Sequence, residues 1–264
     1  MPDGIEQYSW PGLSEPHATA LQCAVQFIFV EVDPIGIVAA GTIVRGTPHP
    51  SSDLDVYVIH DAPFRRRVQR FFGNHVPTEI FINPPSAIRA YFAEEHEAGR
   101  PVTAHMLATG HVVFQRGREL DLLRQEAHEW LERQSVPNEA AAIHARYGAA
   151  TVVEDAADVA DDDPATASML IAHAVIEMLE FWCRAKTGRI PRRKDLLARV
   201  AGLNPALGAL GRHAFFDPSF AEREAAAAEI ADVTIGVRGF FEWDSGAEAV
   251  TNAPANQTRG RPGA

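Results

Sequence analysis

The sequence predicts two successive regions, one of alternating strands and helices and then one of helices alone. Three observations lead there. Between residues 35 and 115, short apolar runs with strand-like alternation are bounded by Gly, Pro, Asn and Asp. After about residue 135 the apolar residues recur only at helical spacing, and the two patterns meet at Gln134-Ser135-Val136-Pro137. A chain of 264 residues is also long enough for one large or two modest domains with a sizeable core. We therefore expect domains over 1–134 and 135–244. The stretch 245–264 has Gly, Pro, Asn and Thr but no apolar period, and is expected to be disordered.

Each element has its own signal. Ser14-Glu15-Pro16 offers a cap and an early proline for a helix running to about residue 32, where Asp33-Pro34 breaks it. Residues 35–42 and 54–59 read as strands, and 65–72 with 78–82 as a hairpin around Gly73-Asn74-His75. Pro84-Pro85 ends that run before a helix over 86–97. Gly99-Arg100-Pro101 then separates it from a short helix to residue 108 and a strand over 111–114. Helices follow over 118–134, 138–160, 165–187, 193–202 and 218–241. The helix over 165–187 starts behind Asp163-Pro164 and ends at Gly188, with Ile171, Val175, Met178, Leu179 and Trp182 as its core side. Glu177 and Glu180 flank that side and read as a solvated surface. No internal repeat is evident.

Composition narrows the function. Hydrophobic residues at 46% and charged residues at 22% describe an ordinary soluble protein. The apolar run Ala24 to Val30 is too short to span a bilayer, and the opening residues lack an export signal, so a cytoplasmic protein is expected. Two distant cysteines, Cys23 and Cys183, in helical apolar patterns fit buried thiols in a reducing compartment. The net charge of −11 argues against a nucleic-acid partner and suits a cationic one. Two local runs stand out against that average. Glu154, Asp155, Asp158, Asp161, Asp162 and Asp163 read first as a solvated helix end, and Arg65-Arg66-Arg67 with Arg70 as charges that protect an edge hairpin.

The chemistry concentrates in Gly41-Thr42-Ile43-Val44-Arg45-Gly46 and Ser52-Asp53-Leu54-Asp55. Side chains alternate across a strand, so Asp53 and Asp55 project to one face and Leu54 and Val56 to the other. Paired carboxylates raise each other's pKa unless a cation lies between them, and hard oxygen donors of this kind suit Mg²⁺. The Gly-Thr turn, the Arg-Gly loop and the Ser-Asp-x-Asp motif together resemble the signature of the DNA polymerase β-like nucleotidyltransferase superfamily. The nearest likeness is to its aminoglycoside and minimal nucleotidyltransferase branches. The match covers about residues 36 to 115, with Thr42 in place of the usual Ser and a more apolar loop at Ile43 and Val44.

That resemblance implies an α/β nucleotidyltransferase domain, a mixed sheet with flanking helices, followed by an all-α helical bundle. It implies catalytic and Mg²⁺-binding roles for Asp53 and Asp55, with Glu79 on a neighbouring strand as third ligand or general base. Glu154 or Asp155 is the fallback base. Nucleotide contacts are expected from Gly41, Thr42, Arg45 and Ser52. A further set comes from Arg192 or Lys194, where a cationic cluster meets a helix start. His105 and His111 lie in the segment that closes the catalytic domain in such proteins, and more simply satisfy local hydrogen bonds.

The expected activity is transfer of a nucleoside monophosphate, from ATP or another NTP, to a hydroxyl of a small molecule. An aminoglycoside is one candidate acceptor. Two alternatives stay open. The first is a protein-AMPylating enzyme of the minimal nucleotidyltransferase antitoxin type, although Arg124 to His128 has one residue too few for the toxin motif of a fused partner. The second is a nucleotide-binding protein without catalysis. Nucleic-acid and membrane partners are not expected.

Overall fold

The structure is a computed structural model and describes residues 6–137, 139–244 and 247. The tail over 245–264 lies outside the described residues, apart from Ala247. The elements are β1 (Glu6–Tyr8), α1 (His17–Glu31), β2 (Pro34–Ala40), α2 (Gly41–Val44), β3 (Leu54–His60), β4 (Arg66–Phe72), β5 (Val76–Asn83), α3 (Pro85–Glu97), α4 (Val102–Thr109), β6 (His111–Arg116) and α5 (Glu119–Glu132). Helices alone follow: α6 (Glu139–Val159), α7 (Pro164–Thr187), a 3-10 turn at Arg193–Asp195, α8 (Leu196–Leu203), α9 (Pro205–Phe216) and α10 (Phe220–Thr234).

The six strands form one mixed sheet in the order β1-β6-β2-β3-β5-β4. β3 and β5 run parallel, and every other neighbouring pair is antiparallel. Two-residue alternation gives the central strands β2, β3 and β5 two faces, and both are covered. On one face Ile37, Ala39, Val56, Val58, Ile80 and Ile82 pack with Leu21, Ala24, Val25 and Ile28 of α1. On the other, Val38, Ala40, Tyr57 and Ile59 pack with Ile88 and Phe92 of α3, Leu107 of α4 and Leu120 and Leu123 of α5. A strand buried on both sides reads as a near-continuous apolar run, as Val56 to Ile59 does.

Several details differ from the local signals. The first helix starts at His17, after Pro16, and the Gly41-Thr42 turn opens a single helical turn before the loop. Strand β1 pairs with β6 through Tyr8 and Phe114, whose rings lie 4.9 Å apart. The helix expected over 218–241 is the shorter α10, and α9 occupies residues 205–216, where no helix was expected. Asn204 Oδ1 accepts from the Leu207 amide at 3.1 Å ahead of Pro205, and Ser219 Oγ accepts from Glu222. These are cap-and-proline starts of the ordinary kind.

The chain divides into two compact units that do not follow its order. Residues up to Pro137 cluster with Trp182–Val200, and the second unit takes Asn138–Phe181 and the residues from Ala201 on. In the first unit, Trp182, Cys183, Leu196 and Val200 are buried. The Ile190 amide donates to the Gly99 carbonyl at 2.8 Å, and Arg184 donates to the Glu97 carbonyl and to Ser135. Gly188 has φ +69° and a Cβ there would lie 3.0 Å from the Ser135 amide nitrogen, so a side chain would be both strained and crowded. In the second unit, α10 packs on α9 and α6, and its Ala226, Ala227 and Ala231 and the Ala149 and Ala150 of α6 are buried. Arg146 donates to the Ile235 carbonyl at 2.7 Å and Arg223 to Ser168 Oγ at 3.0 Å.

Among the described residues α7 alone is long and apolar enough to cross a membrane, and 44% of its most apolar window is buried inside the protein. The core helix of a soluble protein passes the same test, so length and apolarity here assign no membrane role. Neither Cys23 nor Cys183 forms a disulfide.

Candidate active site

Strand register builds the site. Across one sheet face, Ala40, Asp55, Glu79 and Gln69 stand in one row of β2, β3, β5 and β4, and Val38, Tyr57, Phe81 and Arg67 form the next. The two carboxylates are therefore direct partners on the parallel pair β3–β5, not residues that a loop happens to bring near. Asp53 precedes β3 on the same side by alternation. One carboxylate oxygen from each of Asp53, Asp55 and Glu79 lies within 4.8 Å of the other two. Asp53 is exposed, Asp55 half-buried and Glu79 only 8% exposed.

The electrostatics of the three differ. Burial, then the charges of Asp53 and Glu79, push the Asp55 carboxyl up to about 6, although Arg45 and Arg67 pull the other way. Burial alone would raise Glu79 too. Hydrogen bonds from Arg67 and from Gln69 Nε2, at 2.8 Å to Oε1, outweigh it and hold this carboxyl below its usual range. A cluster whose central acid resists ionisation next to two like charges is short of positive charge.

Beside the acids, β2 ends at Gly41 with φ +85°. A Cβ on Gly41 would collide with Asp55 Oδ2, so the chain can turn here only without a side chain. The loop that follows is tied by polar contacts: Thr42 Oγ1 and Ser52 Oγ are 2.9 Å apart, Ser52 Oγ accepts from the His49 amide at 2.8 Å, and the Thr47 amide donates to the Thr42 carbonyl. Thr42 and Ser52 thus hold each other and fix the approach to Asp53.

The acids open into a cavity of about 1270 Å³ lined wholly by the first unit. Gly41, Arg45, Asp55, Glu79 and Arg192 line it, and Thr42, Ser52, Asp53 and Lys194 lie outside its lining. Lys194 is exposed on the 3-10 turn, and Arg192 donates to Asp195 at 2.7 Å. His105 also lines the cavity. Burial and the nearby Arg45, Arg189 and Arg192 lower its pKa, which favours the neutral ring. His111 instead meets Ser9, with its Nε2 3.2 Å from both the carbonyl and the hydroxyl oxygen.

Sequence reasoning missed much of the wall. Tyr57 and Phe81 stack at 5.7 Å and 15° between planes, and Asn83 Nδ2 donates to the Tyr57 hydroxyl at 3.0 Å. Glu95 accepts from Thr103 through its amide at 2.6 Å and its hydroxyl at 2.7 Å. Burial keeps the Glu95 carboxyl above its usual range despite those bonds. Tyr57 and Phe81 were readable as the positions two beyond Asp55 and Glu79, on the same strand faces. Glu95 and Thr103 carry no such signal.

These elements define an α/β protein with a three-carboxylate centre at the mouth of a large cavity. No family model matches the chain, and no curated protein does. Among solved structures, the chain is similar to a nucleotidyltransferase-like protein from Exiguobacterium sibiricum, with 13% identity and a TM-score of 0.49 over 81% of this chain and 74% of that one.

Proposed function

We propose that the protein is a divalent-metal-dependent nucleotidyltransferase that moves a nucleoside monophosphate, from ATP or another NTP, to a hydroxyl of a small molecule. The observation that carries this reading is the convergence of Asp53, Asp55 and Glu79 beside a turn that tolerates only glycine. Three hard oxygen donors within 4.8 Å, one with its pKa raised by burial and by the other two, fit Mg²⁺ or a similar cation. A cation held by these residues would neutralise phosphate charge and the charge that builds on departing pyrophosphate.

The chain's own groups supply the rest. Gly41 lets a phosphate chain approach the backbone, and Arg45 and Arg192 line the cavity where that chain would lie. The acceptor oxygen attacks the α-phosphorus, an O–P bond forms, the bond from the α-phosphorus to the bridging oxygen breaks to release pyrophosphate, and the hydroxyl proton passes to solvent. Glu79, kept ionised by Arg67 and Gln69, acts best as a charged ligand. Neutral His105 offers one donor and one acceptor at the same wall without adding positive charge.

The cavity bears on which acceptor fits. Nine arginines and four carboxylates line it, so an aminoglycoside polycation would enter against the local charge. The acid run from Glu154 to Asp163, the sequence feature favouring such a molecule, contributes no lining residue.

Thermal melting with and without Mg·ATP tests the proposal. Wild type should be stabilised by the complex, and Asp53→Asn and Asp55→Asn should each fold but lose that shift. A full shift in either variant rules out the metal-bound nucleotide at this cluster. Incubation with labelled ATP, Mg²⁺ and a panel of hydroxylated acceptors then tests the transfer itself.

A further inference from the structure

The arginines around the cavity exceed what a nucleotide needs. Arg45, Arg65, Arg66, Arg67, Arg100, Arg133, Arg189, Arg192 and Arg199 line it, against Asp55, Glu79, Glu95 and Glu132. This is nine of the chain's 24 basic residues and four of its 35 acidic ones, which leaves 15 basic against 31 acidic elsewhere. Three of the nine are matched in ion pairs, Arg66 with Glu31, Arg67 with Glu79 and Arg192 with Asp195. Among the described residues Arg45, Arg65, Arg133, Arg189 and Arg199 form no ion pair.

Three of these, Arg133, Arg189 and Arg199, line the same cavity, and the first two lie close enough together to act on one side chain. Arg133 follows α5, Arg189 follows α7 and Arg199 lies on α8. All three are exposed. Arg133 stacks on Trp130, its guanidinium carbon 3.9 Å from the ring centroid, and Arg189 donates to the Leu131 carbonyl. Both act on His96, whose pKa is lowered by burial and then by Arg133, Arg189 and Arg184. Like charges gathered without a counter-ion repel, and the arrangement makes sense with an anion among them. A guanidinium presents a rigid fork of donors that matches phosphate oxygens.

We propose that the acceptor is itself an anion, a small phosphate-bearing hydroxyl compound held by Arg133, Arg189 and Arg199 beside the nucleotide. This rests on the nucleotidyltransferase reading for the place of the nucleotide, and it adds a second anion subsite in the same cavity. The acid excess outside the cavity disfavours a nucleic-acid chain, which would have to cross a repelling surface, whereas a small molecule need not.

Calorimetry on the full chain at low salt tests it. The probes are inorganic phosphate and glycerol 3-phosphate, each titrated with and without saturating Mg²⁺ and a non-hydrolysable ATP analogue. Both should bind on top of the analogue, and Arg199→Gln or Arg133→Gln should weaken them by about tenfold or more, the loss expected for a charge-assisted hydrogen bond. Affinity for the analogue should change by less than about threefold, since these arginines lie outside the proposed nucleotide contacts.

Four results overturn the proposal: phosphate that only competes with the analogue, unaltered affinity in both variants, tighter binding of an aminoglycoside, or a single-stranded oligonucleotide bound far more tightly than glycerol 3-phosphate. If the analogue fails to bind while phosphate still binds through Arg199, the nucleotide reading falls and the anion subsite stands.

Discussion

Asp55 shows how one side chain reports on its surroundings. Its carboxyl is raised to about 6 from an unfolded value near 3.8, so the folded state holds the proton more tightly. Folded apo-protein gains from this below about pH 4 and loses the gain as pH rises through 6. Asp55→Asn should therefore raise apo stability at pH 7 by on the order of 1–2 kcal/mol, discounted for partial exposure, and change little at pH 4. Melting curves at the two pH values check this, and a stabilisation that is equal at both would show that neither burial nor repulsion of the ionised carboxylate is the cause. Glu79 differs because Arg67 already neutralises it. If it is the third ligand, Glu79→Gln should weaken Mn²⁺ binding by about tenfold or more, read by electron paramagnetic resonance, with only a small effect on folding. The Asp-x-Asp pair was legible in the sequence because two-residue spacing alone fixes its face. Arg67 was not legible as a site residue. Only the pairing of β4 with β5 puts it beside Glu79 and Phe81, and a run of three arginines looks the same on any solvated edge.

At the scale of elements, the β2–α2 junction is the most demanding local structure. Gly41→Ala would combine a positive φ with a Cβ driven into Asp55 Oδ2. The variant should lose about 1–3 kcal/mol through strain and displacement of the carboxylate. It should also lose most of the Mg·ATP-induced shift in Tm, and a normal shift would mean that the turn does not set the position of Asp55. Strands and long helices were readable from period and punctuation. The antiparallel hairpin β4–β5 is local, whereas the parallel partnership of β5 with β3 joins residues that no turn connects. Its register, Asp55 against Glu79, comes from tertiary packing. The start of α9 was in the sequence as the Asn204 cap followed by Pro205, and was obscured because the helix is short and has three glycine or proline residues in its first seven.

For the whole molecule, the partition into units has a direct consequence. A fragment ending at Pro137 lacks Trp182–Val200, which clusters with it and carries buried Trp182, Cys183, Leu196 and Val200. Such a fragment should melt well below the full chain and bind Mg·ATP more weakly, because loss of several large buried side chains costs several kcal/mol. Calorimetric melting of both proteins decides this. No local signal assigned that segment, since a helix pattern states which side is apolar and not which partner covers it. The Ile190 amide, bonded to the Gly99 carbonyl at 2.8 Å, is where this returning segment is stitched to the α3–α4 loop, with Arg189 and Arg100 as the adjoining residues. That one backbone proton is a built-in clock. An anion held by Arg189 should steady this junction and slow the exchange of that amide with deuterated solvent, while amides in the middle of β3 keep their rates. Mass-resolved exchange can thus detect a filled cavity before the acceptor itself is known.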